Sequence, residues 1–196
     1  MRKRYQTLVD LDATAEDRAA SADRGLRWLV EQGVVRPETV AREAFRRCGE
    51  HPPGERWHTA VAPSDGEPGD GVTVVAVGCV FDGGPLREPE QAWCPHCAGR
   101  LHLLPTEGRA GPGGRQPWDR VKDAIDTWVD TGRAVLACGH CGRDGDLTAW
   151  TWEGNYFAFA HLGFEFWDWP ELRDSFVEEF ARVLDGHRLT VVRGSV

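Results

Sequence analysis

An α+β fold follows from three features of the chain. Strand-type stretches, alternating or rich in β-branched residues, open it, cross its middle and close it. Helical stretches with apolar residues at three- and four-residue spacing lie between them, and two Cys-x-x-Cys pairs, Cys94/Cys97 and Cys138/Cys141, bracket a separate central segment. With 196 residues the chain is long enough to build a hydrophobic core without disulfide staples.

Tyr5-Gln6-Thr7-Leu8-Val9-Asp10 alternates and is the first expected strand. Thr14, with Asp17 three residues later, marks a helix start, and Ala19, Ala22, Leu26, Leu29 and Val30 recur at helical spacing until Gly33. Pro37 opens a shorter helix with Val40, Ala41, Ala44, Phe45 and Cys48 on its buried face and Gly49 at its end. From His51 to Gly71 the density of Pro, Gly and acidic residues predicts a long surface loop. Val72 to Phe81 is almost continuously apolar and reads as one strand covered on both faces, ended by Asp82-Gly83-Gly84-Pro85.

After the first Cys pair, Leu101 to Leu104 reads as a short strand and Gly108 to Gly114 as a flexible connection. Pro117 opens the most clearly amphipathic helix, with Trp118, Val121, Ile125, Trp128 and Val129 on one stripe and Gly132 at its end. Ala134 to Ala137 leads into the second Cys pair, and Leu147 to Trp152 alternates as a further strand. Asn155 to Trp169 is nearly all aromatic or apolar and fits a helix, a strand or a tight loop. Pro170 opens a helix with the stripe Leu172, Phe176, Phe180 and Val183, stopped by Gly186, and His187 to Arg193 is the last strand. Without the central segment the order is close to the split βαβ order of a ferredoxin-like sheet with helices on one face. The expected domains are an α+β domain formed by 1–93 and 142–196 and an inserted module at 94–141.

The net charge of −8 opposes a nucleic-acid backbone as the main partner, since phosphate neutralisation needs a basic face. No apolar run approaches the roughly 20 residues of a membrane span, and nothing before Tyr5 resembles the apolar core of a signal peptide. A cytoplasmic location is therefore expected. The preference for Arg over Lys, with many Ala and Gly, points to a high-GC bacterial genome. In a reducing compartment paired thiols read as metal or redox sites.

Two Cys-x-x-Cys pairs supply the four soft ligands of a tetrahedral Zn²⁺ ion. Four thiolates leave no open position for water or substrate, so the expected zinc is structural, held by Cys94, Cys97, Cys138 and Cys141. A dithiol redox motif would need no second copy, and the zinc-deaminase pattern fails because Trp93 stands where Pro precedes the first Cys. His96 and His140, inside the pairs, are expected to face solvent. Cys48 and Cys79, each in an apolar run, are expected to be buried structural thiols.

Both pairs resemble the knuckles of zinc ribbons, whose usual form is Cys-Pro-x-Cys-Gly. Cys94-Pro95-His96-Cys97-Ala98 keeps the Pro and has Ala98 in place of Gly; Cys138-Gly139-His140-Cys141-Gly142 keeps the Gly. The resemblance covers Cys94 to Cys141 and implies a closed four-cysteine site with a long, helical connection between its halves. Over the whole chain, Tyr5 to Thr14 and Phe166 to Pro170 resemble the opening and closing motifs of a group of uncharacterised actinobacterial proteins. That resemblance implies bacterial origin and points to no particular activity.

His161 and Glu165, four residues apart, would share a helix face, and with Asp168 they hold the minimum for proton transfer or metal capture. The chain has nine Trp, a residue enriched at interfaces. His161, Glu165, Trp167, Asp168 and Trp169 are accordingly the candidate binding surface. Asp168 is also expected to cap the last helix, with a neighbouring Trp folded on its first turn. His51-Pro52-Pro53-Gly54-Glu55-Arg56-Trp57-His58 is a rigid turn with binding-type side chains. Neither a phosphate-binding Gly-rich loop nor a Gly-x-Ser-x-Gly elbow occurs. The sequence therefore predicts a cytoplasmic, zinc-stabilised protein that binds another protein, for example as an acidic immunity-type partner of a basic toxin or as a regulator. The rival is a small enzyme with a His/carboxylate site in an aromatic cleft.

Overall fold

Alternation in the first strand places β1 (Arg4–Asp10) at the centre of a sheet, where every residue from Gln6 to Asp10 is buried. The computed structural model describes residues 3–40, 49–64, 66–85, 89–103 and 116–196. It is a mixed α/β chain that divides into two compact units, Met1–Leu86 with Ala158–Val196, and Arg87–Phe157.

In the first unit, β1 pairs with β10 (Leu162–Trp167) on one side and β11 (Leu189–Ser195) on the other, and β10 pairs with β2 (Val72–Val75). The sheet order is β11-β1-β10-β2, with each of these pairs antiparallel. Side chains alternate across a strand, so the sheet feeds two cores. Leu8, Leu162, Phe164 and Phe166 join Ala22 and Leu29 of α1 (Arg18–Glu31) and Phe176 and Phe180 of α3 (Asp174–Val183). Val9 and Val192 join Phe81 of β3 (Cys79–Asp82) and Ala158 and Ala160 of β9 (Phe157–Ala160), which form a two-stranded sheet of their own. Gly25 of α1 permits the close helix approach, since a Cβ there would lie 2.5 Å from Phe164 Cζ and 2.9 Å from Phe180 Cζ.

Several sequence expectations need correction. The Val72–Phe81 run is two strands in different sheets: Val72 and Val74 face the helix-side core, while Cys79 and Phe81 belong to the other. Continuous apolarity carries no period that would reveal such a crossing. The 51–71 segment is not a surface loop throughout, because His51, Gly54, Ala60 and Val61 are buried. Its backbone is satisfied internally: His51 and Val72 exchange N–H···O bonds of 2.8 and 2.9 Å, and Gly54 N donates to Val34 O at 2.8 Å. The last helix starts at Asp174, not at Pro170, because Leu172 N donates to Gln6 Oε1 at 3.0 Å and Gln6 Nε2 donates to Pro170 O at 2.7 Å. Thr14 and Asp17 form their reciprocal bonds one turn before α1. The helix expected from Pro37 is not helical over 37–40, where Val40 bridges Glu50, and Ala41 to Cys48 lie outside the described residues, as do Leu104 and Gly108 to Gly114.

In the second unit, β4 (Gln91–Trp93) lies between β5 (Arg100–His102) and β8 (Thr151–Trp152), and β6 (Val135–Ala137) pairs with β7 (Asp144–Asp146). Helix α2 (Pro117–Thr131) opens with Gln116 N donating to Asp119 Oδ2 at 3.0 Å and ends at Gly132 with φ 72°. Val121, Ala124 and Trp128 form its buried face, whereas Val129 is exposed. Leu147 to Ala149 is a short 3₁₀ turn and not strand, because Asp146 Oδ1 accepts from Thr148 N at 2.9 Å and from its hydroxyl at 2.7 Å. The division falls at Leu86/Arg87 and Phe157/Ala158, outside 94–141, since β4 pairs with β8 and Trp152 meets Phe157 edge-on. Of the nine Trp, five are buried and Trp28, Trp57, Trp93 and Trp118 are half-buried. Among the described residues, no helix is long and apolar enough to cross a membrane.

A buried ionisable group fastens the end of β1 to the turn that leads into β11. Asp10 is fully buried; its Oδ1 accepts from Asp12 N and Ala13 N at 3.0 Å, and His187 Nδ1 lies 2.9 Å from Oδ2. Removing a buried carboxylate strands these donors. Asp10→Ala is expected to lower the unfolding free energy by about 3 kcal/mol or more in urea melts; a loss below about 1 kcal/mol would show that the pair is dispensable.

Candidate metal centre

Each Cys pair sits at the turn of one hairpin, β4–β5 or β6–β7, and the two turns repeat the same backbone bonds. Cys94 N donates to Gly99 O at 3.0 Å and Ala98 N to Cys94 O at 2.9 Å; Cys138 N donates to Arg143 O at 2.9 Å and Gly142 N to Cys138 O at 3.0 Å. Both turns need a left-handed residue after the second Cys, Ala98 at φ 53° and Gly142 at φ 70°. The resulting curl aims N–H groups at sulfur. His96 N reaches Cys94 Sγ, Gly99 N reaches Cys97 Sγ and His140 N reaches Cys138 Sγ, each at 3.3 Å.

The four sulfurs all lie within 4.8 Å of one another. Cys94 Sγ is 4.0 Å from Cys141 Sγ, and Cys97 Sγ is 3.7 Å from Cys138 Sγ. A tetrahedral ion with metal–sulfur bonds of about 2.3 Å requires sulfur–sulfur edges of about 3.8 Å. The donor set is thus spaced for such an ion. Cys94 and Cys138 are buried, whereas Cys97 and Cys141 are exposed.

The thiols cannot share this space as independent acids. The Cys141 backbone N–H, followed by the His140 N–H and hydrogen bonds from Cys94 and Cys97, outweighs burial and brings Cys138 down to about 6. Cys97 receives a lowering bond from Gly99 N–H, yet burial and the neighbouring sulfurs push it up to about 12. The rings of His96 and His140 are exposed and lie outside the sulfur set; His96 Nε2 donates to Asp144 O at 2.9 Å.

The other sequence candidates lie in the first unit and do not converge. The 155–169 stretch holds β9 and β10 and no helical turn beyond Asn155, so His161 and Glu165 share no helix face; His161 sits in the turn between β9 and β10, against Gly78. Glu165 and Trp167 project together from β10, with Trp167 Nε1 donating to Glu165 Oε2 at 3.1 Å. Asp168 does not cap the last helix. At φ 51° it continues the β1 edge, its Oδ1 accepting from Arg4 N at 2.7 Å and its N donating to Arg4 O at 2.8 Å. Trp169 turns into the helix-side core, edge-on to Phe166, and its Nε1 donates to Asp70 O at 2.9 Å. His51 is buried with Nδ1 3.1 Å from Arg36 O, whereas His58 is exposed. Cys79 is half-buried, and burial followed by Glu165 and Asp82 pushes its thiol up to about 12. Tyr5 was not visible as a site residue in the sequence; it stacks on Trp167 across a strand pairing that only the register reveals.

Comparison with known protein families, curated proteins and solved structures finds no match to this chain, so the likeness of its opening and closing motifs to actinobacterial proteins gains no support. The four-cysteine cluster stands on its geometry alone.

Ala98 carries a side chain in a left-handed conformation whose counterpart in the second turn is Gly142. That conformation costs an L-residue about 1–2 kcal/mol, partly offset by the greater unfolded-state freedom of Gly. Ala98→Gly is expected to stabilise the metal-loaded protein by about 0.5–1 kcal/mol in chemical denaturation; a destabilised variant would show that this turn differs from its twin.

Proposed function

We propose that the chain is a zinc-stabilised binding protein whose second unit is a zinc-ribbon-like module. The observation that carries this reading is the set of four sulfurs at tetrahedral spacing on two matching hairpin turns. Four thiolate ligands suit zinc and fill its coordination, so the ion holds the module together and offers no site for substrate. Leaving aside the separate β3–β9 pair, the four-stranded sheet and its two helices run strand, helix, strand, strand, helix, strand, with β2 and β11 at the edges and β1 and β10 between them, which supports a ferredoxin-like sheet into which this module is inserted.

A binding role is favoured over catalysis because His51 Nδ1 lies against Arg36 O, His161 against Gly78 and Glu165 against Trp167 Nε1, contacts made within the fold. The net charge of −8 favours a basic protein as partner over nucleic acid, in keeping with an immunity-type or regulatory role in the bacterial cytoplasm.

Protein purified without added metal is expected to contain one zinc per chain, and Cys138→Ser is expected to lose it and to lose hydrogen-exchange protection in the 87–157 unit. Undiminished zinc in that variant would overturn the assignment. For the partner, capture from the native host followed by reconstitution from pure components is expected to give a complex with a basic protein, weakened by salt. A reconstituted complex with nucleic acid alone would instead favour binding through the ribbon.

A further inference from the structure

The four cysteines of the metal centre are not equivalent, and the difference between them is arranged across the two hairpins. Cys97 and Cys141, the second of each turn, are exposed, whereas Cys94 and Cys138, the first of each, are buried. The close sulfur contacts run from one hairpin to the other: Cys97 Sγ lies 3.7 Å from Cys138 Sγ, and Cys141 Sγ lies 4.0 Å from Cys94 Sγ. Each contact therefore joins one exposed cysteine to one buried cysteine.

This arrangement meets the two requirements of reversible thiol oxidation. An accessible thiolate is the one that a peroxide reaches, and a second thiolate close by captures the resulting sulfenic acid before it is oxidised irreversibly. The exposed member of each pair supplies the first and the buried member the second. Closing the 3.7 Å contact to the S–S length of about 2.05 Å moves each sulfur by less than about 1 Å, within reach of side-chain rotation. The buried sulfurs are held meanwhile by the N–H groups of His96 and His140. The turn bonds from Cys94 N to Gly99 O and from Cys138 N to Arg143 O involve no sulfur, so neither hairpin has to open.

We propose that Cys97 and Cys141 are sites of reversible oxidation by hydrogen peroxide, and that oxidation replaces the metal cross-link of the second unit by two disulfides between its hairpins, Cys97–Cys138 and Cys141–Cys94. In each, the exposed thiolate attacks a peroxide oxygen, the O–O bond breaks and hydroxide leaves, giving a sulfenic acid. The buried thiolate then attacks that sulfur, the S–O bond breaks and a second hydroxide leaves. Two electrons pass from the thiolate pair to the peroxide, and two protons from solvent convert the hydroxides to water. The first disulfide removes two of the four donors, so the ion is released while the hairpins stay joined. The inference rests on the zinc reading above and deepens it by naming how the site is regulated. Sulfur pairing is read from a disulfide map and zinc from metal analysis, so the two claims fail separately.

The test oxidises the full-length, metal-loaded protein with hydrogen peroxide, measures released zinc with a chromogenic chelator, and blocks the remaining thiols before digestion with trypsin under non-reducing conditions. Cleavage after Arg87, Arg100, Arg133 and Arg143 leaves Cys94 with Cys97 in peptide 88–100 and Cys138 with Cys141 in peptide 134–143. The expected product is these two peptides joined to each other, with fragment ions assigning Cys97 to Cys138 and Cys141 to Cys94, and with the zinc released as the joined species forms. Dithiothreitol with added zinc is expected to restore four unmodified thiols and the bound metal. Two unjoined peptides with internal bridges, a Cys97–Cys141 link, sulfinic acid in place of disulfide, or four intact thiols with the zinc retained would each overturn the proposal. Protein that carries no zinc when purified fails the metal reading, and the same map on that protein still decides the sulfur pairing. The measurement is made on the native sequence and so needs no variant to fold.

Discussion

Four cysteine sulfurs held within 4.8 Å of one another are the constraint on which the second unit depends. Its hairpins are built from strands of three residues, too short to be stable as isolated ribbons in water. Each hairpin turn spends its backbone N–H groups on sulfur, which favours thiolates, yet four thiolates at this spacing repel one another. A dication at their centre would convert that repulsion into a cross-link between two hairpins more than 40 residues apart in the chain, as the Cys94–Cys141 separation shows. Metal binding and folding are then one event.

The first unit is held by a different principle. Strict alternation across β1 and β10 sends Leu8, Phe164 and Phe166 to the helices and Val9 to the β3–β9 layer. The polar exceptions to this partition each have a local task. Gln6 ties the segment before α3 to β1, and Asp10 anchors the β1 end to His187. Glu165 accepts from Trp167 Nε1 on the other face.

How far the sequence was readable follows from how local each signal is. The Cys pairs were legible because ligand type and spacing are set within four residues, and α2 because its proline, capping residues and apolar stripe all lie in one stretch. The Ala98 departure from the knuckle pattern was visible too, and it marks a real left-handed position. The 155–169 stretch was opaque because strands buried on both faces lose their alternation, as β10 does with Leu162, Gly163 and Phe164 all buried. The start of α3 was misplaced because Gln6, over 160 residues away, captures the backbone at Leu172. Asp168 followed the same rule: a good helix cap by type, it was claimed by the N–H of Arg4. In each case a long-range hydrogen bond overrode a local preference.

In the proposed centre four cysteine thiolates, and nothing else, hold a zinc ion in the second unit. X-ray absorption at the zinc edge on protein as purified tests it most directly, because the first coordination shell reports ligand type and number together. The account predicts four sulfur scatterers at about 2.3 Å and no nitrogen or oxygen in that shell. A shell containing imidazole nitrogen from His96 or His140, a water oxygen, or fewer than four sulfurs would contradict a closed structural site.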